Sequence, residues 1–305
     1  MRAALNYGGD GLANVRFEGI FVPNITPFKD GAIDEESLRR LLDYLVEKGV
    51  TGVVPCGTTG ESATLSHDEH IEVIRITVEQ VAGRAKVIAG IGTNSTNETI
   101  ELLERAEELN VDGYLVVGPY YNRPSQEGII AHYREVSTAT DRPILIYNIP
   151  ARTGRNIESR TIVELSRIPN IVGVKDASGD INETMNILAR TDGFSVLSGE
   201  DHLLFSIMCL GGHGGIMATA HVMPEKFVEL YKACKEGKLE EARKLHYQLL
   251  PLVRIMFKEP NPAGAKAAMQ LMGLIDSDEL RLPMMSASAA TREDIAGVLH
   301  GLKLL

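Results

Sequence analysis

The feature that most narrows what this chain can fold into is a regular recurrence of short, almost uninterrupted apolar runs. Eight of them stand at Gly19–Asn24, Gly52–Pro55, Val87–Ile91, Tyr114–Val117, Ile144–Asn148, Ile171–Lys175, Ser195–Ser198 and Gly215–Ala218, spaced by about 25–35 residues. Between them lie amphipathic stretches such as Glu35–Lys48, Asp68–Ala82 and Thr99–Leu109, whose apolar residues fall three and four apart. Ser66 with Glu69 and Ser95 with Glu98 read S-x-x-E, a capping box that starts a helix. A run that is apolar on both faces belongs to a strand covered on both sides, which is the habit of parallel sheets flanked by helices. Eight such units in 305 residues predict a closed (β/α)₈ barrel. An open doubly wound sheet is the competitor, but no G-x-G-x-x-G follows the first run, so a dinucleotide site has no support.

From Pro224 onward the strand signal ends. Pro224–Lys235, Leu239–Phe257, Ala263–Met272 and Thr291–Leu305 read as helices, interrupted at Glu259-Pro260-Asn261-Pro262. The first completes the eighth barrel unit and the others form a helical appendage. The expected division is an N-terminal arm over 1–18, the barrel over 19–238 and the appendage over 239–305. The first sixteen residues carry two arginines and no apolar run of signal-peptide length, and nothing approaches the ~20 apolar residues of a membrane span. Cys56, Cys209 and Cys234 lie far apart with no C-x-x-C spacing, a reduced pattern that indicates neither a disulfide framework nor a zinc site. A cytoplasmic protein is expected. The formal net charge of −10, without a basic cluster, argues against a nucleic-acid surface, so any anionic ligand must be held by a few local donors.

Chemistry in such a barrel belongs to the carboxyl ends of the strands and the loops after them. Those positions carry Cys56-Gly57-Thr58-Thr59-Gly60-Glu61-Ser62, then Tyr120-Tyr121-Asn122-Arg123-Pro124, then Tyr147-Asn148-Ile149-Pro150 with Arg152-Thr153-Gly154. They also carry Lys175-Asp176-Ala177-Ser178-Gly179, Gly199-Glu200-Asp201 and the glycine-rich run ending at Ile216. Lys175 ends an apolar strand, and a lysine held out of water gives up its proton more readily, which frees the neutral amine that attacks a ketone. Position alone favours the plainer reading of a solvated lysine past a strand end. Thr58 and Thr59 lie in a glycine-flanked turn whose hydroxyls and N–H groups suit a carboxylate, or merely cap the next helix. Tyr147 suits proton transfer or packing, and Arg152 suits a second carboxylate or solvent.

Taken together these residues resemble the pyruvate-dependent class I aldolase family that includes dihydrodipicolinate synthase and N-acetylneuraminate lyase. The similarity runs from about Gly19 to the C-terminus. Gly57-Thr58-Thr59-Gly60-Glu61, Tyr147-Asn148-Ile149-Pro150 and Gly-Val-Lys175-Asp-Ala-Ser-Gly carry it. The paired Thr58-Thr59, the Pro119-to-Gly128 run and Arg152-Thr153-Gly154 resemble the synthase branch, since sialic acid lyases usually carry Ser-Thr at the first motif and lack that arginine context. The resemblance implies a Schiff base between pyruvate and Lys175. It implies a proton relay of Tyr147, Thr59 and Tyr121, with Tyr121 supplied by a neighbouring subunit. Thr58 and Thr59 would hold the pyruvate carboxylate, with main chain near Gly199 and Ile216. Arg152 would hold L-aspartate 4-semialdehyde, and no metal or organic cofactor would be needed.

The resemblance also implies a homotetramer of tight dimers and a feedback site for lysine built from Ser62, Ala63, His67, His70, Asn94, Glu98 and Tyr120. Read on the residues alone, His67 and His70 are simply i and i+3 on a surface helix and Glu98 fits a cap. Three departures stand out: Asp176 where the synthases more often have Glu, Ser198-Gly199-Glu200-Asp201 for Gly-Asp-Asp, and Pro262-Ala263-Gly264 for Pro-Ile-Pro. A sialic acid or 2-keto-3-deoxy-sugar acid lyase is the alternative within the family. A non-catalytic ligand-sensing paralogue is the alternative outside enzymes.

Overall fold

The computed structural model describes residues 16–305; the first fifteen residues of the expected arm lie outside them. Eight parallel strands close into a barrel: β1 (Gly19–Val22), β2 (Gly52–Val53), β3 (Lys86–Gly90), β4 (Gly113–Val117), β5 (Ile144–Asn148), β6 (Ile171–Asp176), β7 (Ser195–Ser198) and β8 (Gly214–Ile216). Each pairs with its neighbours in sequence order, and β1 closes the ring against β8 through Gly19↔Gly214 and Phe21↔Ile216. The helices are α1 (Glu35–Glu47), α2 (His67–Val81), α3 (Thr96–Glu107), α4 (Gln126–Thr138), α5 (Pro150–Thr153) and α6 (Ser159–Leu165). They continue with α7 (Ile181–Leu188), α8 (Leu204–Cys209), α9 (Pro224–Lys235), α10 (Leu239–Met256), α11 (Ala263–Leu271) and α12 (Ala289–Gly301). The eight expected strands are present within two residues at each end, and the four C-terminal helices within four. A two-stranded hairpin, Phe28–Lys29 against Ala32–Ile33, was not anticipated; its Asp30-Gly31 turn has positive φ at both residues.

Why the strands read as continuous apolar runs is visible in the layers. Phe21, Val54, Ile88, Leu115, Leu145, Leu197 and Ile216 fill the barrel interior. Their neighbours Ile20, Val22, Val53, Ala89, Tyr114, Ile144, Ile146 and Val196 pack outward against the helices. The N-terminal mouth is plugged by Phe17, which is buried edge-on against Phe21 and whose N–H donates to Ser195 Oγ at 3.0 Å. Ser66 and Glu69 form the full capping box ahead of α2. At α3 only half of the expected box exists: Ser95 Oγ accepts the Glu98 N–H, while the Glu98 carboxylate turns away to His67. Among the described residues, no helix is long and apolar enough to cross a membrane.

The β1–β8 seam is stapled by His221. Its Nε2 accepts the Ile25 N–H at 3.2 Å and its Nδ1–H donates to the Ala218 carbonyl at 2.7 Å. Those partners admit only one neutral tautomer, and burial pushes the imidazole pKa down to about 4. His70 and His132 are buried and held at about 4 for the same reason. In the unfolded chain each binds a proton near the ordinary value of about 6.5, so between these limits the unfolded state carries more protons. Stability is therefore expected to fall as pH drops from about 6.5 toward 4. Thermal unfolding from pH 7 to 4.5 checks this, and His221→Gln should flatten the slope; an unchanged slope would remove His221 from the account.

Candidate active site

Lys175 reaches the barrel interior because of one extra residue. On β5 and β6 the register runs Ile144↔Ile171, then Leu145↔Gly173, leaving Val172 unmatched. Val172 lies with the interior residues and Val174 with the outer layer, so the alternation inverts across this bulge. Without it, alternation from Val172 would turn Val174 inward and Lys175 out among the helices. Gly173 allows the kink: a Cβ there would meet the Ser195 carbonyl at 2.5 Å and Leu145 Cδ2 at 2.7 Å. Lys175 is 5% exposed and stands opposite Tyr147 on β5, its Nζ 4.2 Å from the centre of the Tyr147 ring. A cavity of about 190 Å³ opens there, lined also by Thr58, Thr59, Arg152, Gly199, Ile216 and Asn261.

Asp176 continues the strand inside the protein. Its carboxylate accepts the Thr184 hydroxyl at 2.6 Å and the Ser178 N–H at 3.1 Å, so the residue after Lys175 anchors the strand end. Gly199 is spent in the same way, its N–H donating to the Asp176 carbonyl at 2.7 Å. A Cβ on Gly199 would lie 2.7 Å from that of Ala177. Asp201 accepts the Thr219 N–H at 2.6 Å and the Ala218 N–H at 3.3 Å. Burial pushes the carboxyls of Asp201 and Glu200 up, against the attraction of Lys175 nearby. Tyr121 is apart from all this: it is 88% exposed at positive φ on the loop after β4.

The turn after β2 is held from the appendage. Thr59 is buried and its Oγ1 accepts from Asn261 Nδ2 at 2.9 Å. The exposed Arg152, on α5, donates to the Asn261 main-chain carbonyl at 3.2 Å. Two residues on from Thr59, Glu61 is buried and pairs with Lys266 Nζ at 2.5 Å. Lys266 is 0% exposed on α11, donates to the Glu279 carbonyl at 2.6 Å and lies 4.2 Å from the centre of the Phe28 ring. Burial pulls its pKa down to about 8 even though Glu61 pulls the other way. Glu61 also accepts the Arg281 N–H at 3.2 Å.

On the other side of this turn lies a larger cavity of about 530 Å³, which shares Thr58, Tyr147, Arg152 and Asn261 with the first. Ser62, Ala63, His67, His70, Glu98 and Tyr120 line it, with Tyr121 at its rim. Asn94 is held close by: its carbonyl accepts from Asn122 at 2.8 Å. His67 Nε2 is 2.8 Å from Glu98 Oε1. His70 donates Nε2–H to the Gly90 carbonyl at 2.7 Å and is kept neutral by burial, which leaves Nδ1 as an acceptor. Burial, then the Glu98 charge, pushes the Tyr120 phenol up, so it stays protonated. Asn94 apart, the residues singled out in the sequence thus line two adjoining cavities.

Comparison with known proteins decides the family. The Dihydrodipicolinate synthetase family model matches residues 16–301. The chain belongs to this family. It is 48% identical over 277 residues to the 4-hydroxy-tetrahydrodipicolinate synthase of Syntrophobacter fumaroxidans, covering 90% of this chain and 95% of that one. Among solved structures it is similar to the chloride-inhibited dihydrodipicolinate synthase of Acinetobacter baumannii complexed with pyruvate. That pair shares 38% identity and a TM-score of 0.92 over 94% of this chain and 99% of that one. It is also similar to the enzyme of Cyanidioschyzon merolae with lysine bound, with 36% identity and a TM-score of 0.92 over 95% and 99%. The (β/α)₈ barrel expected from the sequence is the fold of this dihydrodipicolinate synthetase family member.

Two residues that support the site escaped the sequence reading, Asn261 and Lys266. The only trace of Asn261 is the Pro-Asn-Pro interruption before α11, and Lys266 has the sequence context of an ordinary helix lysine. Removing one partner of a buried ion pair strands the other, at about 3–5 kcal/mol. Lys266→Ala is accordingly expected to lower the urea unfolding free energy by about that amount, and Glu61→Gln with Lys266→Met to regain part of it. A Lys266→Ala protein as stable as the parent would show that the pair contributes nothing.

Proposed function

We propose that the chain is a 4-hydroxy-tetrahydrodipicolinate synthase that condenses pyruvate with L-aspartate 4-semialdehyde on the way to diaminopimelate and lysine. The observation that carries this reading is the buried Lys175 amine, turned into the cavity beside the Tyr147 ring and walled by Thr58 and Thr59. The named relatives and the pyruvate complex of the Acinetobacter enzyme support it. The Lys175 amine adds to the pyruvate ketone, and the carbinolamine loses water to give the imine. One proton then leaves the former methyl carbon, with the imine as electron sink, and the resulting enamine attacks the aldehyde carbon. The amino group of the second substrate then adds to the imine carbon, and cleavage of the carbon–Lys175 nitrogen bond closes the ring, releases the product and returns the free amine. Tyr147, Thr59 and Tyr121 carry the protons, and Thr58 and Thr59 grip the pyruvate carboxylate, with main chain at Ile216 beside them and Gly199, whose N–H is already given to Asp176, as part of the wall. Arg152, half in solvent and steadied by Asn261, receives the carboxylate of the second substrate.

The exposure of Tyr121 supports a role in a neighbouring subunit's site, so we read the assembly as dimers paired into a tetramer, working in the cytoplasm. The larger cavity supports a regulatory lysine site: the Glu98 carboxylate suits an ammonium, and Asn94, Tyr120 and the neutral His70 supply uncharged partners.

Borohydride reduction in the presence of pyruvate, followed by peptide mass mapping, should place the adduct on Lys175, and Lys175→Ala should abolish it. An adduct elsewhere, or none, sinks the mechanism; turnover of aspartate semialdehyde then identifies the second substrate. Titrating L-lysine while following rate and sedimentation should show inhibition of a tetramer, with Glu98→Gln requiring about tenfold more lysine. A rate indifferent to lysine removes the regulatory site, and a fully active monomer removes the role of Tyr121.

A further inference from the structure

Asn261 lies in the loop between α10 and α11, far along the chain from every residue given a chemical part above. Yet it makes a contact to each half of the site: its side-chain amide donates to Thr59 Oγ1 at 2.9 Å, and its main-chain carbonyl accepts from Arg152 Nη2 at 3.2 Å. We propose that Asn261 is a positioning residue that sets the direction in which the Thr59 hydroxyl donates and steadies Arg152 at the same time. This rests on the reading of Lys175 and Thr59 given above.

A hydroxyl has one hydrogen and two lone pairs. The Asn261 N–H occupies one lone pair, and the hydroxyl hydrogen cannot point along the same line because a donor faces it. One lone pair and one hydrogen remain, which is the inventory for passing a proton: one bond received, one bond given. The Thr59 hydrogen is thereby directed to the side of the cavity that holds Tyr147 and Lys175. A carboxylate at position 261 would do the reverse. It would accept the Thr59 hydrogen, leave lone pairs toward the cavity and add a negative charge where anionic substrates must bind.

The loop is held rigidly enough for this. Ala263 N–H donates to the Pro260 carbonyl at 3.1 Å, and every residue from Ala263 to Met269 on α11 is buried. Lys266 on that helix grips Glu61, on the same turn as Thr59. Turn and loop are thus joined twice, once by the ion pair and once by the Asn261–Thr59 bond, so the amide meets the hydroxyl in a single arrangement.

The test is a double-mutant cycle on the intact enzyme, using Asn261→Ala, Asn261→Asp, Thr59→Val and Asn261→Ala with Thr59→Val. The readouts are kcat and KM for pyruvate, the rate of borohydride-trappable imine formation, and Tm. Asn261→Ala should lower kcat by about tenfold with a smaller change in KM. Asn261→Asp should cost at least as much in kcat and raise the pyruvate KM as well. In the Thr59→Val background, Asn261→Ala should cost less than about twofold further, because the hydroxyl it orients is gone. Full multiplication of the two single losses, or wild-type kinetics in Asn261→Asp, overturns the proposal. Should Asn261→Ala fail to fold, the near-isosteric Asn261→Asp carries the same comparison with Thr59→Val. Wild-type protein that forms no trappable imine with pyruvate overturns the functional reading first, and is a different result from a cycle without coupling.

Discussion

A closed barrel leaves each strand residue two choices, the interior or the helical layer, and the choice alternates along the strand. The rest of the site depends on how this constraint is broken at one place. Between Ile171 and Gly173 the sixth strand carries one residue more than its partner, and the count restarts so that Lys175 faces inward beside Tyr147. The inversion leaves the Ser195 carbonyl and Cβ and a leucine crowding the following residue, which only glycine at 173 tolerates. An amine that would otherwise lie among helices is thereby brought, with little exposure, to the end of the barrel where the loops converge.

The turn bearing Thr58 and Thr59 sits between two cavities and closes on itself, with the Gly60 N–H donating to the Gly57 carbonyl at 3.1 Å and the Glu61 N–H to that of Thr58 at 3.2 Å. The C-terminal helices fix where that turn sits. Lys266, buried on all sides, is tolerable there because Glu61, the Glu279 carbonyl and the Phe28 ring surround its ammonium. Arg281 adds contacts to Glu69 at 2.6 Å and to the Thr64 carbonyl at 3.0 Å, fixing the start of α2 against the same appendage. A buried ion pair is a poor source of net stability but a strong source of register, because few other arrangements satisfy both charges. The appendage belongs to the site as much as the barrel does.

This division explains what could be read from the sequence. Strands, outer helices and the Ser66 cap are local patterns, and periodicity carries them. Thr58, Thr59, Tyr147 and Arg152 end strands or open loops, so topology alone gathers them, and it brings Lys175 to the same end of the barrel, where the bulge turns it inward. The bulge at Val172 could not be read: Ile-Val-Gly-Val is apolar at every position, and no alternation exists in which a shift would register. Lys266 and Asn261 could not be read either, since their partners lie about 200 residues away and their own surroundings, an alanine-rich helix and a proline-rich break, suggest nothing of a buried charge. Glu98 misled in the opposite sense. Its spacing from Ser95 is that of a cap, but His67 on the neighbouring helix offers its carboxylate a better partner.

The same local logic governs charge. The chain carries 41 acidic against 31 basic residues, yet the proposed substrates are anions. Long-range attraction cannot draw them in, since charges beyond about 8–10 Å are largely screened at physiological salt. What counts is the sign inside the cavity, and there the carboxyls nearest Lys175 are handled individually. Asp201 is turned onto the backbone N–H groups of Ala218 and Thr219, and burial pushes the carboxyls of both Asp201 and Glu200 up. Against them stand uncharged donors, Thr58 and Thr59, and one arginine at the rim. A site built this way selects carboxylates by geometry, and its binding should respond only weakly to ionic strength, unlike one that relies on a basic surface.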